Sequence, residues 1–124
     1  MNTPAPEPKP DICQRTFDFA VRIVQLCNAL FEKRGAGEVL ARQVLRSGTS
    51  IGANVQEAQA AQTKRDFITK MTIAQKESRE TAYWLRLLIK AGPVAPTRIT
   101  ALHDEAEQIT KIISSIVRTS KSSM

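Results

Sequence analysis

Five residues of one segment could do chemistry together. Lys76, Arg79, Tyr83, Arg86 and Lys90 follow one another at steps of three, four, three and four. On a helix that spacing places them on one line, about 21 Å long at 1.5 Å per residue. No carboxylate interrupts it. Four cations with an aromatic among them fit phosphate contacts plus one stacking contact, the chemistry of nucleic-acid binding. Arg42 and Arg46, upstream, are further candidates for phosphate contacts. The competing expectation is a solvated face whose charges pair with Glu77 and Glu80 on the adjoining line.

That adjoining line reads Lys70, Ile73, Glu77, Glu80, Trp84, Leu87. Ile73, Trp84 and Leu87 are large apolar groups off the main apolar seam. The single Trp on a mixed stripe suggests a subunit interface, where Trp is enriched. The alternative is that Trp84 widens the core. A third stripe, Arg46, Ser50, Asn54 and Glu57, steps by four, four and three beside Gly48 and Gly52. Its safer use is structural: small residues let two helices approach, and the polar groups find partners across the contact. A ligand site is the other option.

Other chemistries find little support. His103 is the sole histidine, and a di-metal bundle site needs Glu-x-x-His on two helices, whereas position 100 is Thr. His103 is expected to face solvent and hold no metal. Gly48 and Gly52 lack the Lys-Ser/Thr of a phosphate-cradling loop. Cys13 and Cys27 fall in one predicted helix, roughly 21 Å apart by its rise. A disulfide needs Cα atoms within about 7 Å, so they are read as free thiols packed as small core residues. No catalytic residue, metal or cofactor is assigned.

Composition sets the frame. A chain of 124 residues forms one domain. Aromatics are only 5%, so the core must be aliphatic. The net charge of +6 favours an acidic partner such as nucleic acid. No apolar run spans a bilayer, and residues 1–10 carry four prolines and no apolar signal segment, which points to the cytoplasm and away from membranes.

The elements that must position these residues are four amphipathic helices. Residues 1–10 read as a flexible Pro-rich tail. Asp11 caps a first helix running to about Arg34. Ile12, Phe19, Ile23, Leu26 and Leu30 form one apolar line on it, and Phe17, Ala20, Val24, Cys27 and Phe31 a second, together one broad buried face. Gly35-Ala36-Gly37 turns the chain. Helix two runs from near Glu38 to about Ala61. Its two glycines, four apart on one face, predict a close approach to a neighbouring helix. Thr63, with Asp66 three residues on, opens helix three, whose seam is Phe67, Met71, Ala74, Ser78, Thr81, Leu85 and Leu88. Gly92-Pro93 stops it. Helix four starts at Pro96 and carries Ile99, Leu102, Ala106, Ile109, Ile113 and Ile116. Short connections predict an all-α, antiparallel up-down four-helix bundle over 11–119, with 120–124 frayed.

Arg46-Ser47-Gly48-Thr49-Ser50-Ile51-Gly52-Ala53-Asn54-Val55-Gln56-Glu57-Ala58, then Lys64-Arg65-Asp66-Phe67, then Ala74 to Leu88 with its Tyr83-Trp84-Leu85, resemble the bacterial four helix bundle protein family. Its founding members are encoded in intervening sequences of 23S ribosomal RNA genes. The resemblance covers residues 12–118. Arg46, Ser50, Asn54, Glu57, Glu77, Tyr83 and Trp84 match the family signature, which assigns them no catalytic role. Many relatives have Pro at the position of Gly52, which implies a milder kink here. The resemblance implies homopentamers, ring-like assemblies of bundles. A related group, the accessory variability proteins of diversity-generating retroelements, forms similar basic pentamers that partner a reverse transcriptase and bind nucleic acid. The match is closer to the ordinary members, whose molecular function is unassigned. The expectation is therefore a non-enzymatic homo-oligomer that binds RNA or DNA. Its rival is a scaffold for a protein such as a reverse transcriptase, with incidental charge.

Overall fold

A computed structural model describes residues 11–123; the tail expected at 1–10 lies outside the described residues. Four helices follow one another: α1 (Ile12–Phe31), α2 (Ala36–Gln59), α3 (Lys64–Ala91) and α4 (Pro96–Ser122). Each packs against two neighbours in the cyclic order α1–α2–α3–α4, with α1–α4 the slightest contact. This is the expected antiparallel bundle, and the described residues contain no strand.

Local chemistry sets the ends. Asp11 Oδ1 accepts from the Gln14 amide at 2.8 Å and starts α1. Thr63 Oγ1 accepts from the Asp66 amide at 3.0 Å and starts α3. Helix α1 stops at Phe31, three residues before the expected Arg34. The chain then turns through Gly35 at φ +90°, a conformation that favours glycine. The Gly35 carbonyl accepts from the Glu38 amide, so α2 begins at Ala36 rather than near Glu38. It ends at Gln59, before the expected Ala61. Gly92 closes α3 by donating its N–H to the Leu88 carbonyl at 2.8 Å, and Pro96 opens α4. Helix α4 continues to Ser122 past the 119 boundary, where the side chain of Lys64 at the start of α3 donates to Ser123.

The core is aliphatic, with Phe19 its one fully buried aromatic. The line Phe19, Ile23, Leu26 and Leu30 of α1 meets Val44, Ile51 and Val55 of α2, with Met71, Leu85 and Leu88 of α3 and Ile99, Ile109 and Ile113 of α4 in the same cluster. On α3 the buried seam starts at Ile68; Phe67 is half-buried. On α4 it ends at Val117, with Ile116 at its margin.

The second expected line of α1 is corrected. Cys27 is buried, but Phe17 is 62% exposed and Val24 40% exposed. Helix α1 touches only α2 and α4 among the described elements, and none of these covers its outer side. Phe17, Val21, Val24 and Asn28 lie there at steps of four, three and four. The polar Asn28 on that line was the available sign that it faces outward.

The two glycines act as expected. A Cβ on Gly48 would sit 2.9 Å from Ile23 Cγ2, and one on Gly52 3.3 Å from the Thr16 backbone carbonyl. Antiparallel α1 and α2 therefore meet closely at these points: the Ile23 side chain packs onto Gly48, and Gly52 lies against the Thr16 backbone. The other side of the ring is closed by polar groups. Arg15 Nε and Nη2 each reach a Glu105 oxygen at 2.8 Å, and Nη2 also donates to Gln108 Oε1 at 2.6 Å. These bonds hold the Glu105 carboxyl below the ordinary carboxylate range, against the opposing effect of burial.

Candidate nucleic-acid interface

The seam of α3 is buried by α2 and α4, so the opposite line must face outward. Lys76, Arg79, Tyr83, Arg86 and Lys90 are all exposed. None of the four cations forms an ion pair among the described residues. Tyr83 is 58% exposed. Its ring meets Trp84 edge-on, with centroids 5.1 Å apart and planes at 74°, a geometry favoured by the ring quadrupoles. Tyr83, Arg86, Leu87 and Lys90 surround a shallow hollow of about 240 Å³.

Glu77 and Glu80 do not neutralise this row by direct ion pairs. They turn toward α2. Arg46 Nη2 lies 3.0 and 2.9 Å from the two Glu80 oxygens, and Arg46 Nη1 is 3.8 Å from Glu77 Oε2. Glu77 is the less satisfied of the two. Its Oε2 is buried with no hydrogen-bond partner among the described residues. Burial raises its carboxyl pKa, the neighbouring Glu80 carboxylate adds to this, and Arg46 and Lys76 oppose it.

Arg42 and Arg46 thus differ from the α3 row. Arg42 bonds Glu38 on its own helix at 3.0 Å, and Arg46 is held by α3. The stripe that begins with Arg46 splits in use. Asn54 Nδ2 donates to the Ser50 carbonyl and hydroxyl at 2.9 and 3.1 Å, within α2. Glu57 reaches across to Lys70 at 2.8 Å, and the hydrogen bond from that lysine lowers its pKa. The same α2–α3 seam holds a hydroxyl pair, Ser47 and Thr81, buried 2.9 Å apart. Its α3–α4 counterpart is Ser78 with Thr110 at 2.7 Å.

Ile73, Trp84 and Leu87 are half-buried, and Trp84 packs against the core cluster. The Trp84 Nε1 is buried without an acceptor among the described residues, which costs roughly 1–3 kcal/mol. Large aliphatic and Phe side chains that do face outward are Phe17, Val21 and Val24 of α1 and Val39 of α2, positions that the apolar lines of the sequence did not mark as surface. Beside Phe17 runs a groove of about 330 Å³ between α1 and α2, with Cys13, Ala20, Thr49, Gly52, Ala53 and Gln56 also in its walls.

His103 is only 18% exposed, which corrects the expectation of a solvent-facing side chain. It adjoins the buried Leu102 on the flank of α4, and its Nε2 lies 3.3 Å from Glu107. The described residues bring no three His, Cys, Asp or Glu side chains together as a metal site. Both cysteines are free, Cys13 half-buried and Cys27 buried. Cys27 Sγ lies 3.4 Å from the Ala41 carbonyl, and burial pushes its thiol pKa up to about 11. Cys13 is also raised, by burial first and Asp11 second. Neither thiol is activated as a nucleophile. No described helix is long and apolar enough to cross a membrane.

Fold and surface together define an all-α four-helix bundle with a cationic row on the outer face of α3 and no assembled catalytic constellation among its described residues. The chain belongs to the 23S rRNA-intervening sequence protein family, whose model matches residues 9–115. It is also similar to a crystal structure from Bacteroides thetaiotaomicron VPI-5482, a protein of unknown function from the S23 ribosomal protein family. The two share 39% identity and superpose with a TM-score of 0.79, over 86% of this chain and 98% of that one. No curated protein matches the chain. Neither matching description names an enzymatic activity.

Proposed function

We propose that this protein is a non-enzymatic homo-oligomer that binds nucleic acid through the outer face of α3. One observation carries the reading: Lys76, Arg79, Arg86 and Lys90 share an exposed line while Glu77 and Glu80, the carboxylates beside it, turn toward Arg46. An unneutralised cation row gains by releasing counterions from a polyanion. Several copies would multiply the +6 charge of one chain and raise avidity. The apolar side of α1, which no other described element covers, offers a surface on which copies can meet.

The test is a salt titration of binding to structured RNA and to DNA, with Arg79→Glu/Arg86→Glu beside the wild type and solution mass measured by light scattering. The expected result is an oligomer whose binding constant falls steeply with salt and is lost in the double variant. Binding that is absent, or unchanged in the double variant, removes the reading. A monomeric wild type removes its oligomer clause.

The exposed Phe17, Val21 and Val24 beside the α1–α2 groove favour a second reading, a scaffold for another protein. A stable protein partner that remains after nuclease treatment, and is lost with Phe17→Asp, would support it.

A further inference from the structure

We infer that the α3 face takes a single strand rather than a duplex, with an unpaired base stacked on Tyr83 above the hollow formed with Arg86, Leu87 and Lys90. This rests on the nucleic-acid reading above and adds the class of ligand.

Three observations lead to it. First, the cations of α3 form one line, with the exposed Lys111 and Arg118 set apart on α4. On the α2 side of that line Glu80 and Arg46 occupy one another, and on the α4 side α3 presents Gln75, Ala82 and Ile89, which carry no charge. A single row tracks one backbone; a duplex presents two. Second, Tyr83 protrudes from the middle of the row, and a perpendicular pair with Trp84 takes up at most one face of its ring. Bases within a duplex are stacked on each other and closed to such a ring, whereas unpaired bases splay onto aromatic side chains. Third, the hollow is bounded by the groups that a stacked nucleotide uses. Tyr83 gives a platform, Leu87 an apolar wall, Arg86 a planar cation, and Lys90 a phosphate contact one turn further along. A phosphate-only site would leave Tyr83 and Leu87 without a role.

The full chain is titrated by fluorescence anisotropy with oligothymidylate, oligouridylate and a mixed-sequence duplex of matched length, at one moderate salt concentration. Wild type, Tyr83→Ala, Tyr83→Phe and Arg79→Glu/Arg86→Glu are compared. The wild type is expected to prefer both single strands to the duplex. Tyr83→Ala should weaken single-strand binding roughly 5- to 150-fold, the range of one lost base–aromatic stack, and leave duplex binding unchanged. Tyr83→Phe should retain the wild-type value. The thymidylate and uridylate arms then separate DNA from RNA as the preferred source of the strand. Equal wild-type affinity for duplex and single strand overturns the inference, as does a Tyr83→Ala variant that binds single strands like the wild type. In either case loss of binding in Arg79→Glu/Arg86→Glu keeps the broader reading. If no probe binds the wild type, both fall.

Discussion

Helix α2 is held on its two sides by opposite means. Toward α1 it offers Gly48 and Gly52, and contact is steric: with no side chain on α2, Ile23 packs onto Gly48 and Thr16 onto Gly52. Toward α3 it offers Arg46, Ser47 and Glu57, and contact is polar, made by Glu80, Thr81 and Lys70. The steric side depends on closeness and tolerates little added volume. The polar side depends on pairing, and its ion pairs, unlike the buried Ser47–Thr81 bond, are partly solvated, so each of them contributes less. The polar side also bears on the surface, because Arg46 draws Glu80 and Glu77 away from the cation row of α3. One seam fixes how the helices sit; the other also shapes the field outside them.

The largest effect is expected on the steric side. A Cβ at position 48 would stand 2.9 and 3.0 Å from two atoms of Ile23, so Gly48→Val should cost about 1–3 kcal/mol or more through overpacking. Urea unfolding followed by circular dichroism reads it directly. Gly48→Ala/Ile23→Ala should cost less than the sum of its single changes, by roughly 0.5 kcal/mol or more, because the second removes the atoms that the first strikes. Additive costs would mean that α1 and α2 are not in this register. Gly52→Ala sharpens the point. Its Cβ would be 3.3 Å from Thr16, and helix propensity gains about 1 kcal/mol, so its cost should be well below that of Gly48→Val.

A smaller loss is expected from Arg46→Ala, about 1 kcal/mol, since this side chain is more than half exposed. The distinctive readout lies elsewhere. With Arg46 gone, Glu77 and Glu80 lose their cross-helix cation and their charge stands beside Lys76 and Arg79. Binding of a polyanion should therefore weaken although Arg46 itself need not touch the ligand. Arg46→Lys should restore the charge but not the second nitrogen, since Nη2 alone contacts both Glu80 oxygens while Nη1 lies 3.8 Å from Glu77. A full rescue by Lys would reduce the seam to simple charge attraction.

The steric side was legible in the sequence because glycines on an apolar helix face have few other uses. The polar side was half legible. The stripe Arg46, Ser50, Asn54, Glu57 could be seen as structural, but its partners Glu80 and Lys70 are set by the register of α2 against α3, which one helix alone does not encode. Ser50 and Asn54 then bond within α2, an outcome decided by the same register. The cation row could be read from its steps of three and four, as could its place opposite the seam. What could not be read was the direction in which Glu77 and Glu80 lean. The apolar residues of α1 misled for a related reason. Periodicity counts apolar positions and does not say how many neighbours a helix has, so by itself it puts Phe17 and Val24 inside.

The smallest change, and the one of opposite sign, concerns Glu77. Its Oε2 is buried without a hydrogen-bond partner among the described residues, and burial together with Glu80 raises its folded-state pKa. A carboxyl raised on folding binds its proton more tightly in the folded chain. Its contribution therefore favours folding at low pH and declines as pH rises from the ordinary carboxylate value through the folded one. At neutral pH the ionised group is a liability. Glu77→Gln should leave stability equal to or slightly above the wild type there, and the advantage should vanish as pH falls below the ordinary carboxylate value. Glu105 has the reverse sign: bonded by Arg15, its pKa is lowered, so its stabilisation is present at neutral pH and lost as pH falls through the folded value. Glu105→Gln should be destabilising at neutral pH and converge on the wild type in acid. Urea midpoints across that range would separate the two carboxylates. A Glu77→Gln variant clearly less stable than the wild type at neutral pH would show that the Arg46–Glu77 pair at 3.8 Å outweighs the cost of burying that carboxylate, and the polar seam would then match the Arg15 clamp rather than contrast with it.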